Sequence, residues 1–395
     1  MNKTNGFAIS WFFAPYIGSA DIDFYKRIKN TNIDYLVAQV AREIKDDRLL
    51  RCPGNARIER VEIRVDHKNP RTVSAREKFC NEVLRIFEAA DRKFDFIISH
   101  SNELISHEAA ARIRQKYPGI PWIAYFGDLF ARNPYIAHMP GYPLVKEDTF
   151  IEEETLRNAD IILLNNEYQR DLMFSGDLAK YASKAVVIPH CFDPAMYGVG
   201  VQNESTKFVF SHLGTLYHVK RTAQPILQAV DRLLDIYPEY KQKFEVRFYG
   251  ASPYPNDLNA HTGMRNADHV HFESAVSYLD SLELMRQSDV LLLVDGMFNE
   301  EEDGIKCNPF FPGKLADYMG AMKPIAAVTM AVGPTADILL RSRNLIADLR
   351  VDRIAYILKR YLDGKVTPDF SVYADYSINT IAPQMENAIR SVVKE

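Results

Sequence analysis

"DVLLLVDGMFNEEEDGIKCNPFFPGKLADYMGAMKPIAAVT", residues 289–329, decides how the chain is read. It opens on an apolar run, DVLLLV (289–294), and closes on another, PIAAVT (324–329). Between them Pro312 suits a helix start, and the residues after it are spaced as a helix. Short apolar runs alternating with helices indicate βα units and a parallel sheet. Lys314 falls in the first helical turn, and Asp317 lies one turn on, on the same face. A cation at a helix N-terminus opposes the helix dipole, so Lys314 is poorly explained as a helix stabiliser. A helix N-terminus beyond a strand suits a diphosphate, and an Asp there suits the two hydroxyls of a ribose. The plainer reading is a surface i,i+3 ion pair, worth about 0.2–0.5 kcal/mol.

The same alternation runs outward in both directions. The first half carries apolar runs at 6–14, 33–40, 60–65, 94–99, 121–126, 160–164 and 185–189, with helical stretches at 74–93 and 105–117. A polar segment, YGVGVQNESTK (197–207), reads as a linker. The pattern restarts with runs at 208–214, 244–250, 269–272, 289–294, 324–329 and 344–348, and the chain ends in a helical tail. Two doubly wound α/β domains facing each other across a cleft are therefore expected, over 1–196 and 208–370. Residues 371–395 are expected to form a C-terminal helix. Ligands of such sheets bind beyond the carboxyl ends of the strands.

Composition narrows the function classes. The net charge is −4, and the first 195 residues balance 27 basic against 27 acidic side chains. No basic excess marks a nucleic-acid binder. Cys52, Cys80, Cys191 and Cys307 are far apart and lack CxxC spacing, which argues against a zinc site or a disulfide scaffold. Reduced thiols in the cytoplasm are the simplest account. No apolar run reaches membrane-spanning length. The aromatic and basic cluster FYKRIK (24–29) is a candidate for peripheral contact with an anionic membrane, or else a solvated helix face.

A second stretch bears on ligand binding. The run FVFSHLG (208–214) ends in Gly214, where the backbone can approach a ligand closely. Lys220 and Arg221 follow at the start of a helix, where a phosphate would reconcile two cations with the dipole. A solvated Lys-Arg pair beside a turn is the alternative.

Together these pieces resemble retaining GT-B glycosyltransferases of the glycosyltransferase family 4 type. In the second half the likeness rests on HLGTLYHVKR, VRFYG, VHFESAVSYLDSLELMRQSDVLLLV and FFPGKLADYMGAMKPIAAV, in the family's order. In the first half it rests on YIGSADIDF, FDFIISHS, IPWIAYFGD, ADIILLNNEYQRDLM and VVIPHCFDP. The resemblance implies a GT-B fold, in which the C-terminal helix of residues 371–395 returns to the first domain, and transfer of a sugar from a nucleoside-diphosphate sugar. It also implies roles for individual residues. Lys220 would bind the donor diphosphate, with Arg221 beside it and Gly214 before it. Asp317 takes the place of the second Glu of the family's Glu, seven residues, Glu motif and would hold the ribose, with Lys314 and Leu315 preceding it. The first Glu falls at Pro309, so that contact is missing or supplied from elsewhere. Gly18 matches the glycine loop near the donor phosphates, and the stretch from Glu273 to Tyr278 would flank the base. Where many members have a sugar-contacting His after the strand equivalent to PWIAYF, this chain has Gly127 and Asp128. Asp128 is thus the candidate polar group near the reacting centre, with His100 and His107 as alternatives.

The implied chemistry breaks an anomeric C–O bond and leaves a diphosphate, whose charge Lys220, Arg221 and a helix N-terminus would stabilise. No metal or other cofactor is expected. The DID at 21–23 mimics a metal motif of another glycosyltransferase fold, but Asp21 reads as a helix start. The acidic segment DGMFNEEEDG (295–304) lacks the alternating ligands of a calcium loop and reads as a solvated loop over the donor. The expected partners are a nucleotide-sugar donor and a glycan or lipid-linked acceptor, in cell-envelope or capsular polysaccharide synthesis. Two rivals share the pattern: a GT-B nucleotide-sugar 2-epimerase and a non-enzymatic two-domain binding protein. A Rossmann oxidoreductase is disfavoured, since HLGTLYH and YGASPYP each offer a single Gly.

Overall fold

The computed structural model describes residues 3–16, 18–66, 72–101, 103–135, 146–198, 205–216, 220–250 and 253–393. Residues 199–204 of the expected linker and 217–219 of HLGTLYHVKR lie outside the described residues.

The chain forms two compact units. The first comprises Met1–Cys191 with Ile378–Glu395, and the second Phe192–Ser377. The first unit holds seven strands: β1 (Asn5–Ser10), β2 (Asp34–Val40), β3 (Ile58–Ile63), β4 (Phe96–His100), β5 (Trp122–Tyr125), β6 (Ile161–Leu164) and β7 (Ala185–Val187). They pair in parallel in the order β3-β2-β1-β4-β5-β6-β7. Their helices are α1 (Ser19–Lys29), α2 (Val73–Ala89), α3 (Ile105–Lys116), α4 (Lys146–Asn158) and α5 (Glu167–Met173).

The second unit carries β8 (Phe208–Leu213), β9 (Phe244–Tyr249), β10 (Val270–Glu273), β11 (Val290–Val294), β12 (Ile325–Val328) and β13 (Leu345–Ala347). These strands too are all parallel, in the order β10-β9-β8-β11-β12-β13. Between them run α6 (Gln224–Ile236), α7 (Pro255–Thr262), α8 (Tyr278–Gln287), α9 (Glu300–Asp303), α10 (Gly313–Gly320), α11 (Pro334–Arg341) and α12 (Val351–Leu362). The last helix, α13 (Ile378–Arg390), belongs to the first unit and packs on α1.

Each element follows from its local sequence. Central strands such as VLLLV in β11 are buried at every position, as in a sheet covered on both faces, so they read as unbroken apolar runs. Helix α6 carries Pro225 in its first turn and turns Ile226, Leu227, Val230, Leu233 and Leu234 inward, where α12 packs against it. Each such buried side chain contributes about 1.5–3 kcal/mol. The run GFAISWFFA is extended only to Ser10, because Phe13 accepts a hydrogen bond from the Tyr16 N–H and the chain turns there.

In each sheet the strand order reverses once, between β1 and β4 and between β8 and β11. Those two reversals leave a crevice at the carboxyl ends of the strands and fix where a ligand can sit.

Candidate functional site

In the second unit the candidate residues gather at the carboxyl ends of β8 and β11. Strand β8 ends in His212, Leu213 and Gly214. The Leu213 N–H donates to the Tyr318 hydroxyl at 2.8 Å, which ties the strand end to α10. Gly214 has φ +130°, a conformation side chains rarely adopt, and a Cβ there would lie 2.6 Å from the Lys314 Nζ. The backbone conformation calls for glycine, and a side chain there would also push the Lys314 tip aside.

Lys314 and Asp317 do not pair with each other. Lys314 Nζ lies 3.3 Å from His212 Nε2, and the other ring nitrogen, Nδ1, lies 2.9 Å from the Leu292 carbonyl. A carbonyl only accepts, so Nδ1 carries the proton and Nε2 offers a lone pair to the lysine. Burial holds the His212 imidazole well below its usual range, with Lys314 adding to the effect, so the ring stays neutral. Burial likewise holds the Lys314 ammonium well below its usual range, reinforced by the Arg221 charge and opposed by Asp295. An anion arriving beside Lys314 would restore its charge. The surface ion-pair reading of this helix is therefore corrected: Lys314 turns inward to a buried histidine.

Asp317 is buried, and its Oδ1 accepts a hydrogen bond from the Tyr278 hydroxyl at 2.9 Å. Its main-chain carbonyl accepts from the Tyr197 hydroxyl at 2.7 Å. The structure thus joins two residues singled out separately from sequence, Tyr278 at the start of α8 and Asp317 in α10. Leu315, between Lys314 and Asp317, is fully buried in the core under α10. Glu273 ends β10 and is exposed. Pro309, at the place of the missing Glu, is buried. Next to it Asn308, also buried, accepts from the Phe310 N–H and donates to the Gly296 carbonyl.

Lys220 and Arg221 are both buried rather than solvated. Lys220 Nζ donates to Asp303 Oδ2 at 2.8 Å and Glu302 Oε2 at 3.2 Å. Burial would lower its pKa, but the two carboxylates outweigh it and raise the ammonium above its usual value. An Arg221 NH2 approaches Asp295 Oδ1 at 3.4 Å. Asp295, 1 % exposed, also accepts from the Gly296 N–H at 2.8 Å and from the hydroxyls of Thr329 at 3.2 Å and Thr335 at 2.9 Å. The segment 295–304 is therefore not simply a solvated loop. Its first residue is a buried carboxylate at the end of β11, and it folds into α9, capped by the Asn299 side chain and closed by Gly304 at φ +69°. Sequence reasoning missed Asp295, His212, Thr329 and Thr335. The available signal was position: Asp295 and Thr329 directly follow apolar strands.

The first-unit candidates are more scattered. Gly18 caps α1 in an extended conformation, and the Asp21 carboxylate occupies the space its Cβ would take. Asp128 is exposed, in the turn after β5. His100 is fully buried at the end of β4, stacked between Phe24 (4.7 Å) and Tyr125 (5.1 Å). Ser10 Oγ donates to the Phe12 carbonyl, so it accepts from His100 Nδ1 at 3.1 Å. Burial lowers the His100 pKa to about 3, and that of His107 likewise to about 3. His107 is fixed on Ser99 Oγ, 2.7 Å away. Both rings stay neutral, and neither exposes an atom to a ligand in this conformation.

FYKRIK is corrected outright: every one of these side chains is buried. Lys26 donates to the Cys191 carbonyl and Lys29 to the Pro53 carbonyl. Arg27 pairs with Asp23 at 2.6 Å and reaches the carbonyls of Ile188 and Pro189. This stretch is an internal brace and offers no face to a membrane. No helix among the described residues is long and apolar enough to cross one. Among the same residues no group of three or more His, Cys, Asp or Glu side chains is placed to hold a metal ion.

No protein-family model matches the chain, and no curated protein matches it in sequence. Solved structures do match in shape. Anabaena HepE, crystallised with UDP-glucose, is 14% identical with a TM-score of 0.68, over 98% of this chain and 99% of that one. A glycosyltransferase from Rickettsia africae is 11% identical with a TM-score of 0.70, over all of both chains. The lipopolysaccharide outer core galactosyltransferase WaaB is 13% identical with a TM-score of 0.65, over 98% of this chain and 99% of that one. These neighbours are GT-B glycosyltransferases, and the chain shares their fold of two parallel-sheet, Rossmann-like units.

Proposed function

We propose that this chain is a retaining glycosyltransferase of the family 4 type. It would move a sugar from a nucleoside-diphosphate sugar to a glycan, lipid-linked or small-molecule acceptor, in cell-envelope or capsular polysaccharide synthesis. The observation that carries the reading is the cluster at the β8–β11 reversal. Lys220, Arg221 and Lys314 stand there with Asp317 and its Tyr278 partner, around a strand exit kept bare by Gly214.

The roles follow from the chemistry. As the anomeric C–O bond breaks, its electron pair goes to the leaving diphosphate, where negative charge grows. Fixed cations aimed at that charge stabilise the transition state more than the ground state. Lys220 and Arg221 supply permanent charge, and Lys314 gains its proton when an anion is beside it. The Asp317 carboxylate holds the ribose hydroxyls, with Tyr278 at the base. Asp128, exposed at the end of β5, is the candidate polar group on the acceptor side. The four cysteines are far apart in sequence and lack CxxC spacing, and the cytoplasm is the proposed compartment.

HepE was crystallised with UDP-glucose, so UDP-sugars are the first donors to test. Purified protein is incubated with UDP-glucose or UDP-galactose, with and without glycan acceptors, and UDP release and sugar products are measured. Acceptor-dependent transfer with the anomeric configuration kept, lost in Asp317→Ala, supports the proposal. An epimerised sugar formed without acceptor would move the chain to the 2-epimerases. Donor binding with neither reaction would make it a binding protein.

A further inference from the structure

The candidate anion site contains more negative than positive groups. Its cations are Lys220, Arg221 and Lys314, and its carboxylates are Asp295, Glu302, Asp303 and Asp317. Asp295 is bound into the sheet end by two threonine hydroxyls and the Gly296 N–H, and Asp317 is held by Tyr278. Glu302 and Asp303 are differently placed. They belong to α9, a single helical turn whose Glu300, Glu301 and Glu302 are exposed. The segment is tethered at its start, where the Met297 N–H donates to the Lys220 carbonyl and the Phe298 N–H approaches the Met330 sulfur. It is tethered again at Asn308, whose N–H donates to the Val332 carbonyl. Between these ties, contacts within the segment include those of Asn299 with Glu302 and Asp303, the helical turn closing at Gly304 and the Glu300–Lys306 ion pair at 2.9 Å. Apart from the shielded Asp303 side chain, this turn is a short exposed element, and such elements open at low free-energy cost.

We infer that Glu302 and Asp303 set the affinity of the site for its donor, as internal counter-ions that a diphosphate must displace from Lys220. The inference rests on the donor-site reading above. An ammonium has three N–H donors, and two of those on Lys220 already point at carboxylates. A phosphate taking the third would stand about 5 Å from both carboxylates, three anionic groups around one cation. The diphosphate therefore takes the place of the carboxylates, and α9 swings out between its two ties. A divalent cation bridging these carboxylates to the diphosphate is the competing arrangement. It is disfavoured because no third acidic or imidazole ligand completes a cluster among the described residues. In the empty protein the pairing keeps Lys220 from collecting stray anions, and only a ligand that reaches Lys220 with strong negative charge breaks it.

The test is calorimetric titration of the full chain with UDP and, separately, with uridine, in buffer free of divalent cations. Glu302 is 63% exposed, so Glu302→Gln leaves the fold undisturbed; Asp303→Asn is the second variant. Each is expected to bind UDP about tenfold more tightly than the unaltered protein, because one charged hydrogen bond no longer has to be broken. Uridine, which has no phosphate to reach Lys220, should bind all three proteins equally. UDP affinity unchanged or weakened in both variants, with Asp317→Ala still abolishing binding, overturns the counter-ion role alone and makes the carboxylates mere positioners of Lys220. Magnesium that tightens UDP binding to the unaltered protein but not to the variants also overturns it, in favour of metal ligation. Failure of every folded form to bind UDP removes the donor-site reading and this inference together.

Discussion

Replacing Gly214 with alanine tests the geometry of the β8 exit directly. Two separate effects add. At φ +130° a residue with a Cβ is held in a sparsely populated backbone region, which costs about 1–3 kcal/mol. The new methyl would also lie 2.6 Å from the Lys314 Nζ and 2.9 Å from its Cε, so the lysine tip must leave its hydrogen bond to His212. Losing that bond adds about 1 kcal/mol. Relaxation of the main chain is restricted, because a Cβ on the neighbouring Gly250 would already meet the Gly214 carbonyl at 2.7 Å, so the two backbones are in close contact. The sum is about 2–4 kcal/mol. For a unit of this length each kcal/mol shifts the melting midpoint by roughly 2–4 °C, so a fall of about 4–16 °C is expected. Differential scanning calorimetry is the assay, with the two units followed as separate transitions. The second unit's transition should drop while the first stays in place. Against Lys314→Met alone, which already lacks the bond to His212, Gly214→Ala should cost only the backbone part, about one half to three quarters of the shift. A loss under 2 °C in Gly214→Ala would refute the reasoning, because neither the backbone strain nor the lysine contact would then be real.

Other perturbations follow from the same contacts. Asp295→Ala strips Arg221, Thr329, Thr335 and the Gly296 N–H of a shared buried acceptor. It should destabilise the second unit by about 3 kcal/mol in urea titration, and a change under 1 kcal/mol would mean that water replaces the carboxylate. Tyr278→Phe removes a single hydrogen bond to Asp317. Stability should fall by no more than about 1 kcal/mol, while UDP affinity, read by calorimetry, changes more than the fold does. The first unit should lose stability in acid. His100 and His107 have folded pKa values near 3, below their ordinary 6.5, so between pH 6.5 and 3 the unfolded chain binds protons that the folded one does not. Stability then rises with pH across that window, by about 1.4 kcal/mol per pH unit for each ring once the unfolded form is protonated. Urea midpoints between pH 7 and 4.5 measure this slope. It should flatten in His100→Asn combined with His107→Asn, and an unchanged slope would assign the acid sensitivity to other groups.

The strands were legible because a sheet buried on both faces demands unbroken apolar runs, and such runs survive in any single sequence. All thirteen strands among the described residues overlap runs singled out from sequence, although β3 (IERVEI) and β9 (FEVRFY) are interrupted by charged residues. Helices α4 and α7 were not singled out, because short or strongly charged helices leave a weaker periodic trace; α11 and α12 were passed over although their apolar spacing is clear. Within the site, Lys314 and Asp317 were visible from helical phase, and Gly214 from its place at a strand exit. What sequence could not give was pairing. Nothing in the string links His212 to Lys314, Asp303 to Lys220 or Asp295 to Thr335, residues separated by 40 to 102 positions. FYKRIK shows the reverse error. Its three cations suggest a wet surface, yet they are spent on Asp23 and on main-chain carbonyls at the ends of other elements.

One topological fact bears on how the protein is made. The first unit is completed by α13, which the ribosome delivers only after all of residues 192–377. At 5–20 residues per second that interval is about 10–40 s. Throughout it, α1 stands without its neighbouring helix, whose Ile378, Ile381, Met385 and Ile389 end up buried. The second unit suffers no such wait. Its two ends meet, Phe192 pairing with Ser377 and donating its N–H to the Tyr376 carbonyl, so it can close as soon as it has left the ribosomal tunnel. The half that is synthesised first is therefore the half that finishes last, and it is the one that needs protection from aggregation in a crowded cell.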